Sequence, residues 1–398
     1  MINYPHFPIE DTVYTGTWKT NYTGGCHHCD GACLKKEKIP VYTVLSANGL
    51  NSLVGHVKSI NAGNGTVLCR GQCKLYENIR PSIYRNSDTA CNEKTQNLDN
   101  LILKMIQDIS EDNDLMDIWD WKGIVKQWSG YQALAIESML QHYGASTRCV
   151  DFVDNHWVAL WFGLHKCKKQ NDHNVYEKRD PAKSGDENKN EKDLIILKPE
   201  DSKGFTTIKE DLESNNQDSQ SSLLNRAQKI WNRLFAAPSE HPDSPEKSRE
   251  KYIKYEADNA YNHMYLFLYV AETNHTTVRG ISFGEHTYVV DLRKVLPYHF
   301  LRPCAQQGWV VRGKKDDYRF EDRIACVVRI SVKLASDMLG NGDLTKIESL
   351  FPSEYEDLGY LSLLQQQIGS GVDNKLEYKQ IIPEGTIDLS FMKKNRQK

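Results

Sequence analysis

Apolar side chains recur at Leu98, Leu101, Ile102, Met105, Ile106 and Ile109, the spacing that puts them on one face of a helix. The same period returns through Trp128, Tyr131, Leu134, Ala135 and Met139, and Gly144 supplies a stop. A second helix is therefore expected over residues 128–142. Asp154 or Asn155 is placed to cap a third, whose stretch 157–164 is apolar nearly all round and so should be buried. Strand patterns take over elsewhere. Thr66-Val67-Leu68-Cys69 runs into Arg70-Gly71, a short strand ending in a turn. Residues 193–197 form another, and residues 264–270, 287–292, 308–311 and 324–332 four more. Helices gather in the first half and strands in the second. That order predicts an α+β fold, with a mixed or antiparallel sheet completed by C-terminal strands, over an alternating parallel plan.

Two tracts break the pattern. Residues 166–192 turn to Lys, Asp, Asn and Glu, and residues 210–222 to Ser, Asn and Gln. Such tracts bury too little apolar surface to offset chain ordering, so they read as surface loops or disorder. The expected organisation is a loop-rich extension over 1–65 with a strand near 40–45, then one domain over 66–365. That domain carries a polar insertion at about 166–260, and 366–398 form a tail. At 398 residues with 39% apolar and 26% charged composition, the chain has ordinary globular proportions. A net charge of −3 excludes a global attraction to nucleic acid or anionic membrane. No apolar run approaches the roughly 20 residues of a membrane helix. The first thirty residues lack a secretory pattern, and ten cysteines are too sparse for a disulfide scaffold. A reducing, cytoplasmic setting is the expectation.

Three segments concentrate chemistry. Arg70 at a strand end, followed by Gly71, can aim a planar fork of donors at a phosphate or carboxylate while the backbone turns; Arg85 adds a nearby cation. Gln141-His142-Tyr143 and Thr147-Arg148-x-x-Asp151 place six polar side chains between two apolar helices. There Arg148 and Asp151 are a candidate ion pair, and His142 and Tyr143 could stack on an aromatic ring. The segment reads equally as a hydrogen-bond knot pinning the helix junction. Gln306 and Gln307, ahead of Gly308, offer uncharged amides to a ribose or amide edge. Cys26, Cys29 and Cys33 contain one metal-type Cys-x-x-Cys, but no second well-spaced pair follows, so zinc is not expected. Phosphate-loop, zinc-protease and serine-hydrolase motifs are absent.

Cys69-Arg70-Gly71-Gln72 followed by Pro81-Ser82-Ile83-Tyr84-Arg85, the block over residues 140–164, the segment Arg302-Pro303-Cys304-Ala305-Gln306-Gln307-Gly308-Trp309, and Phe351-Pro352 leading into a last helix together resemble the FRG domain family. Cys69 and Trp309 stand where that family usually has Phe or Tyr and Phe. The first motif is also similar to the first-strand motif of NAD-binding ADP-ribosyltransferases. That resemblance implies NAD as substrate, held by Arg70, with Thr147 and Arg148 in the ribose-supporting role and Gln306 orienting the acceptor. Gly71, Arg85, Gln141, His142, Tyr143 and Gln307 would line the same site, and Glu137 or Asp151 could supply the stabilising carboxylate. It implies a toxin or antiphage effector modifying a protein or nucleic acid. Two other readings stand beside it. One is a non-catalytic module sensing a nucleotide or nucleic-acid end; the other is a hydrolase using Asp151 and His142 as acid and base.

Overall fold

A computed structural model describes residues 2–5, 9, 11–19, 38–76, 78–85, 91–122, 130–170, 173–179, 194–196, 262–340, 346–353, 355–365 and 378–379. In chain order the main elements are β1 (Thr12–Lys19), β2 (Lys38–Val44), α1 (Ala47–Ile60), β3 (Thr66–Gln72), α2 (Cys91–Ser110) and α3 (Asn113–Ile118). Next come α4 (Gly130–His142), β4 (Cys149–Val153), α5 (His156–Leu164), β5 (His165–Gln170), β6 (His173–Lys178) and β7 (Leu194–Ile196). The remainder are β8 (His263–Ala271), β9 (Thr277–Val278), β10 (Ile281–Phe283), β11 (Thr287–Asp291), β12 (Gly308–Gly313), β13 (Ile324–Ser331), α6 (Val332–Leu339), α7 (Leu358–Gln365) and β14 (Tyr378–Lys379). The fold is α+β.

Eleven strands form one sheet in the order β7-β1-β2-β13-β8-β3-β4-β12-β11-β10-β9. Its β13–β2 pair is parallel and its other described pairs are antiparallel. β8 lies near the centre, and all nine of its residues are buried. Strand alternation explains how. Met264, Leu266, Leu268 and Val270 pack with α1 and α5, while Tyr265, Phe267 and Tyr269 join Leu68, Phe152 and Phe320 on the other face. Helices α2 and α4 cover the β4–β12–β11 end through Met105, Ile109, Leu134, Met139, Cys149 and Val310.

The expected helices sit inside α2, α4 and α5; residues 128 and 129 lie outside the described ones. Asn155 caps α5, accepting from the Trp157 N–H at 2.9 Å. After α4 the chain turns at Gly144, with φ +97°, and the Ala145 N–H returns to the Leu140 carbonyl at 2.9 Å, a glycine helix stop.

Two stretches carry more order than their sequence suggests. The described residues 12–19, 38–44 and 47–60 are two strands and a helix of the main fold, where a loop-rich extension with one strand near 40–45 was expected. The β1 alternation is hidden by a register shift between Tyr14 and Gly16. Within the tract expected as loop from residue 166 on, β5 and β6 pair antiparallel and form a small sheet with β14. Tyr176 anchors that pair, with its ring centroid 5.4 Å from Trp161 and 5.1 Å from Phe351. One aromatic outweighs several lysines here, because its burial is what fixes the strand.

Candidate functional site

Gly71 sets the position of everything around it. A Cβ at this residue would fall 1.8 Å from the Ala159 carbonyl oxygen and 2.7 Å from the Gly163 nitrogen, both backbone atoms of α5. Only a residue without a side chain lets that helix lie directly on β3. β3 pairs with β8 along all seven residues but meets β4 only at Cys69 opposite Val153. Beyond that pair β3 and β4 part company, because β4 continues in register with β12.

Arg70 occupies the resulting slot. Its Nη1 donates to the Asp151 carbonyl oxygen at 2.6 Å, while its Nε is buried without a hydrogen-bond partner. Burial pushes the guanidinium down to about 10, the charge of Arg85 adds to that, and Asp151 opposes it. It is still a cation at neutral pH, and an anion entering the slot would relieve both the desolvation and the like-charge repulsion.

A relay of hydrogen bonds fixes the wall opposite. Gln141, in the last turn of α4, donates through Nε2 to Asp151 Oδ2 at 2.5 Å and accepts from Thr147 Oγ1 at 2.5 Å. Thr147 Oγ1 in turn accepts from the Cys149 N–H at 3.2 Å. The Thr147 N–H donates to Ser82 Oγ at 3.1 Å, and its carbonyl accepts from the Ile83 N–H, tying the segment that carries Arg85 to the same turn. Asp151 keeps Oδ1 without a hydrogen bond, 3.8 Å from Nδ1 of a His142 whose side chain is 4% exposed. A Cβ on Gly308 would lie 2.8 Å from the His142 ring, so that glycine leaves room for the imidazole.

The expected residues therefore divide. Arg70, Gly71, Gln141, His142, Thr147 and Asp151 come together, with Arg85 within electrostatic reach of Asp151. Arg148 does not pair with Asp151. Its guanidinium binds Glu137 at 3.0 and 3.1 Å and Asp99 at 2.6 Å, bracing α4 against α2. Arg312 reaches the same buried Glu137 at 3.0 Å. A carboxylate buried on the neighbouring helix competed better for Arg148 than the partly exposed Asp151.

Tyr143 belongs to the core. It stacks on Tyr360 and donates to Asp357 Oδ2 at 2.7 Å, leaving no open face for a ligand. Gln306 donates to the Leu350 carbonyl at 2.9 Å and is buried there. Gln307, in the left-handed region at φ +51°, lines a shallow surface cleft of about 570 Å³ with Lys58, Thr66, Val67, Asp154, Asn155 and His156. That cleft lies at the opposite end of β3 from Gln72 and contains none of the Arg70 cluster. The buried guanidinium nitrogen without a partner lies at Arg70, outside that cleft.

Sequence reasoning passed over Tyr76 and Tyr176, which both reach the Arg70 guanidinium electrostatically. Tyr176 gave no signal because it sits in a polar tract. Glu137, the other candidate for the stabilising carboxylate, is buried and spent on Arg148 and Arg312, away from the Arg70 cluster. Cys26, Cys29 and Cys33 lie outside the described residues. Among the described residues, no group of three or more His, Cys, Asp or Glu is arranged to hold a metal, and no helix is long and apolar enough to cross a membrane.

The site is thus an arginine-centred slot between two parting strands of an α+β sheet. The FRG domain family model matches residues 65–172, so this chain carries an FRG domain, and the slot-forming residues from Arg70 to Asp151 fall inside it. No curated protein and no solved structure matches the chain.

Proposed function

We propose that the FRG domain uses the Arg70 slot to bind a phosphate-bearing nucleotide, with NAD and ADP-ribose the first ligands to test. The observation that carries this reading is the Arg70 guanidinium itself. It has one backbone acceptor, a buried Nε without a partner and a second cation nearby. A phosphate supplies the bidentate oxygens such a group lacks. Gln141 and Thr147 serve this function as the scaffold that holds Asp151, and His142 sits behind it.

ADP-ribosyl transfer is the second reading, favoured by one feature. Asp151 offers an uncommitted Oδ1 beside the cation, where a carboxylate could stabilise the cation-like sugar formed as nicotinamide leaves. Against it, the Gln306 amide is spent on Leu350, so an acceptor would have to be oriented by another group. The acceptor would be a protein or nucleic acid, and a toxin or antiphage role would follow from transfer alone.

Thermal unfolding with saturating NAD or ADP-ribose tests binding, because a ligand held by the folded state raises the midpoint. Wild type should be stabilised and Arg70→Ala should not. Chromatography of the same NAD samples separates the readings: released nicotinamide with ADP-ribose carried on an acceptor supports transfer, released nicotinamide with free ADP-ribose supports hydrolysis, and intact NAD supports a sensor. No stabilisation by any nucleotide would remove both.

A further inference from the structure

The slot has an aromatic ring at its mouth that neither the motif nor the hydrogen-bond relay explains. Tyr76 follows β3, and its neighbours hold the segment in place. Leu75 packs against the core, and Ile79, 4% exposed, donates its N–H to Glu321. Between those anchors the Tyr76 side of the chain faces out, and the residue is 44% exposed. Exposure alone marks nothing, since Tyr298 and Tyr355 are more exposed still. The company differs. The Lys74 ammonium lies 5.1 Å from the Tyr76 ring centroid, and the Tyr76 phenol, hydrogen-bonded to Cys73, lies within electrostatic reach of both Arg70 and Arg85. Tyr176, the other tyrosine near Arg70, is packed among Trp161, Phe162 and Phe351 and cannot offer a face in the same way.

An accessible ring beside three cations matches one chemical unit: an aromatic base attached through a sugar to a phosphate. We propose that Tyr76 is the base-stacking platform of the slot, so that the ligand is selected as a nucleoside phosphate over a simple sugar phosphate or inorganic anion. The inference rests on the phosphate-binding role given to Arg70, and it adds the residue that decides which phosphate compound is preferred. Arg70 and Arg85 hold the phosphate, Tyr76 reads the base, and the Lys74 charge polarises the ring.

Titration calorimetry with AMP and ribose 5-phosphate tests this. These ligands share the phosphate and sugar and differ in the base. Wild type should bind AMP about 5- to 150-fold more tightly, the range that stacking of one base supplies. Tyr76→Ala should abolish that preference while leaving ribose 5-phosphate affinity unchanged, and Tyr76→Phe should keep it. Equal affinities in wild type would overturn the stacking role and leave the phosphate slot standing. A preference that survives Tyr76→Ala would do the same. Failure of both ligands to bind wild type would overturn the slot and this inference together.

Discussion

Replacing Gly71 by alanine adds one methyl group at the point where α5 rests on β3. The new carbon would lie 1.8 Å from the Ala159 carbonyl oxygen and 2.7 Å from the Gly163 nitrogen. Neither obstacle is a side-chain tip that can rotate away; both are backbone of a helix whose Ala159, Leu160, Trp161 and Leu164 are almost wholly buried. Relief requires lifting the helix or bending the strand. Overpacking a core site costs about 1–3 kcal/mol, and a backbone clash this close belongs at the upper end, about 3 kcal/mol. Gly55 supplies the control. It lies in α1, and a Cβ there meets nothing within 4 Å, so Gly55→Ala should gain about 0.5–1 kcal/mol from helix propensity. Urea unfolding followed by tryptophan fluorescence measures both. Gly71→Ala within about 0.5 kcal/mol of wild type, the usual scatter of benign substitutions, would refute the close approach of α5 to β3. An equally damaging Gly55→Ala would do the same.

Glu137→Gln removes the charge facing Arg148 and Arg312 and should cost about 3–5 kcal/mol, as expected for breaking a buried ion pair; a loss under 1 kcal/mol by the same unfolding assay would mean the brace is unimportant. Burial, assisted by Lys58, holds the His156 imidazole down to about 4, and burial lowers His263 as well. The unfolded chain therefore takes up protons first as acid is added. The stability His156 preserves is complete above about pH 6.5 and is lost as pH falls towards about 4, and His263 acts in the same direction. Unfolding free energies at pH 7 and pH 5 should differ, and His156→Gln should narrow the difference; no pH effect in this window would contradict the burial argument. Gln141→Leu should release Asp151 Oδ2 and weaken nucleotide binding while Arg70 stays in place, whereas unchanged affinity would make the relay irrelevant to the site.

Much of the fold was legible because long periodic stretches carry their own evidence. The apolar run from Leu98 to Ile109 and the nine residues of β8 leave little choice of element. Residues 12–19 were harder, since the bulge at Gly16 breaks a strand's alternation by one residue. The β5–β6 pair was harder still, because only a few residues, Tyr176 and His165 beside Trp161 among them, tie a lysine-rich ribbon to the core. At the site, the sequence brought Arg70, Gln141, His142 and Asp151 together correctly as a neighbourhood. It could not say which partners they would choose. Arg148 found Glu137 eleven residues back, on the adjoining helix face, instead of Asp151 three residues ahead. Proximity along a strand counts for little when successive residues point to opposite faces. Gln306 was misjudged for a similar reason: its partner, the Leu350 carbonyl, is 44 residues away and carries no local mark.

The central claim is that Arg70 holds the phosphate of a nucleotide. Titration of ADP-ribose into wild type and into Arg70→Ala, each checked for native circular dichroism, addresses it directly. Loss of a charged hydrogen-bond partner should weaken binding by about 10- to 150-fold, with Lys58→Ala unchanged. Equal affinity for wild type and Arg70→Ala, or a loss confined to Lys58→Ala, would place the ligand in the cleft at the other end of β3 and contradict the account.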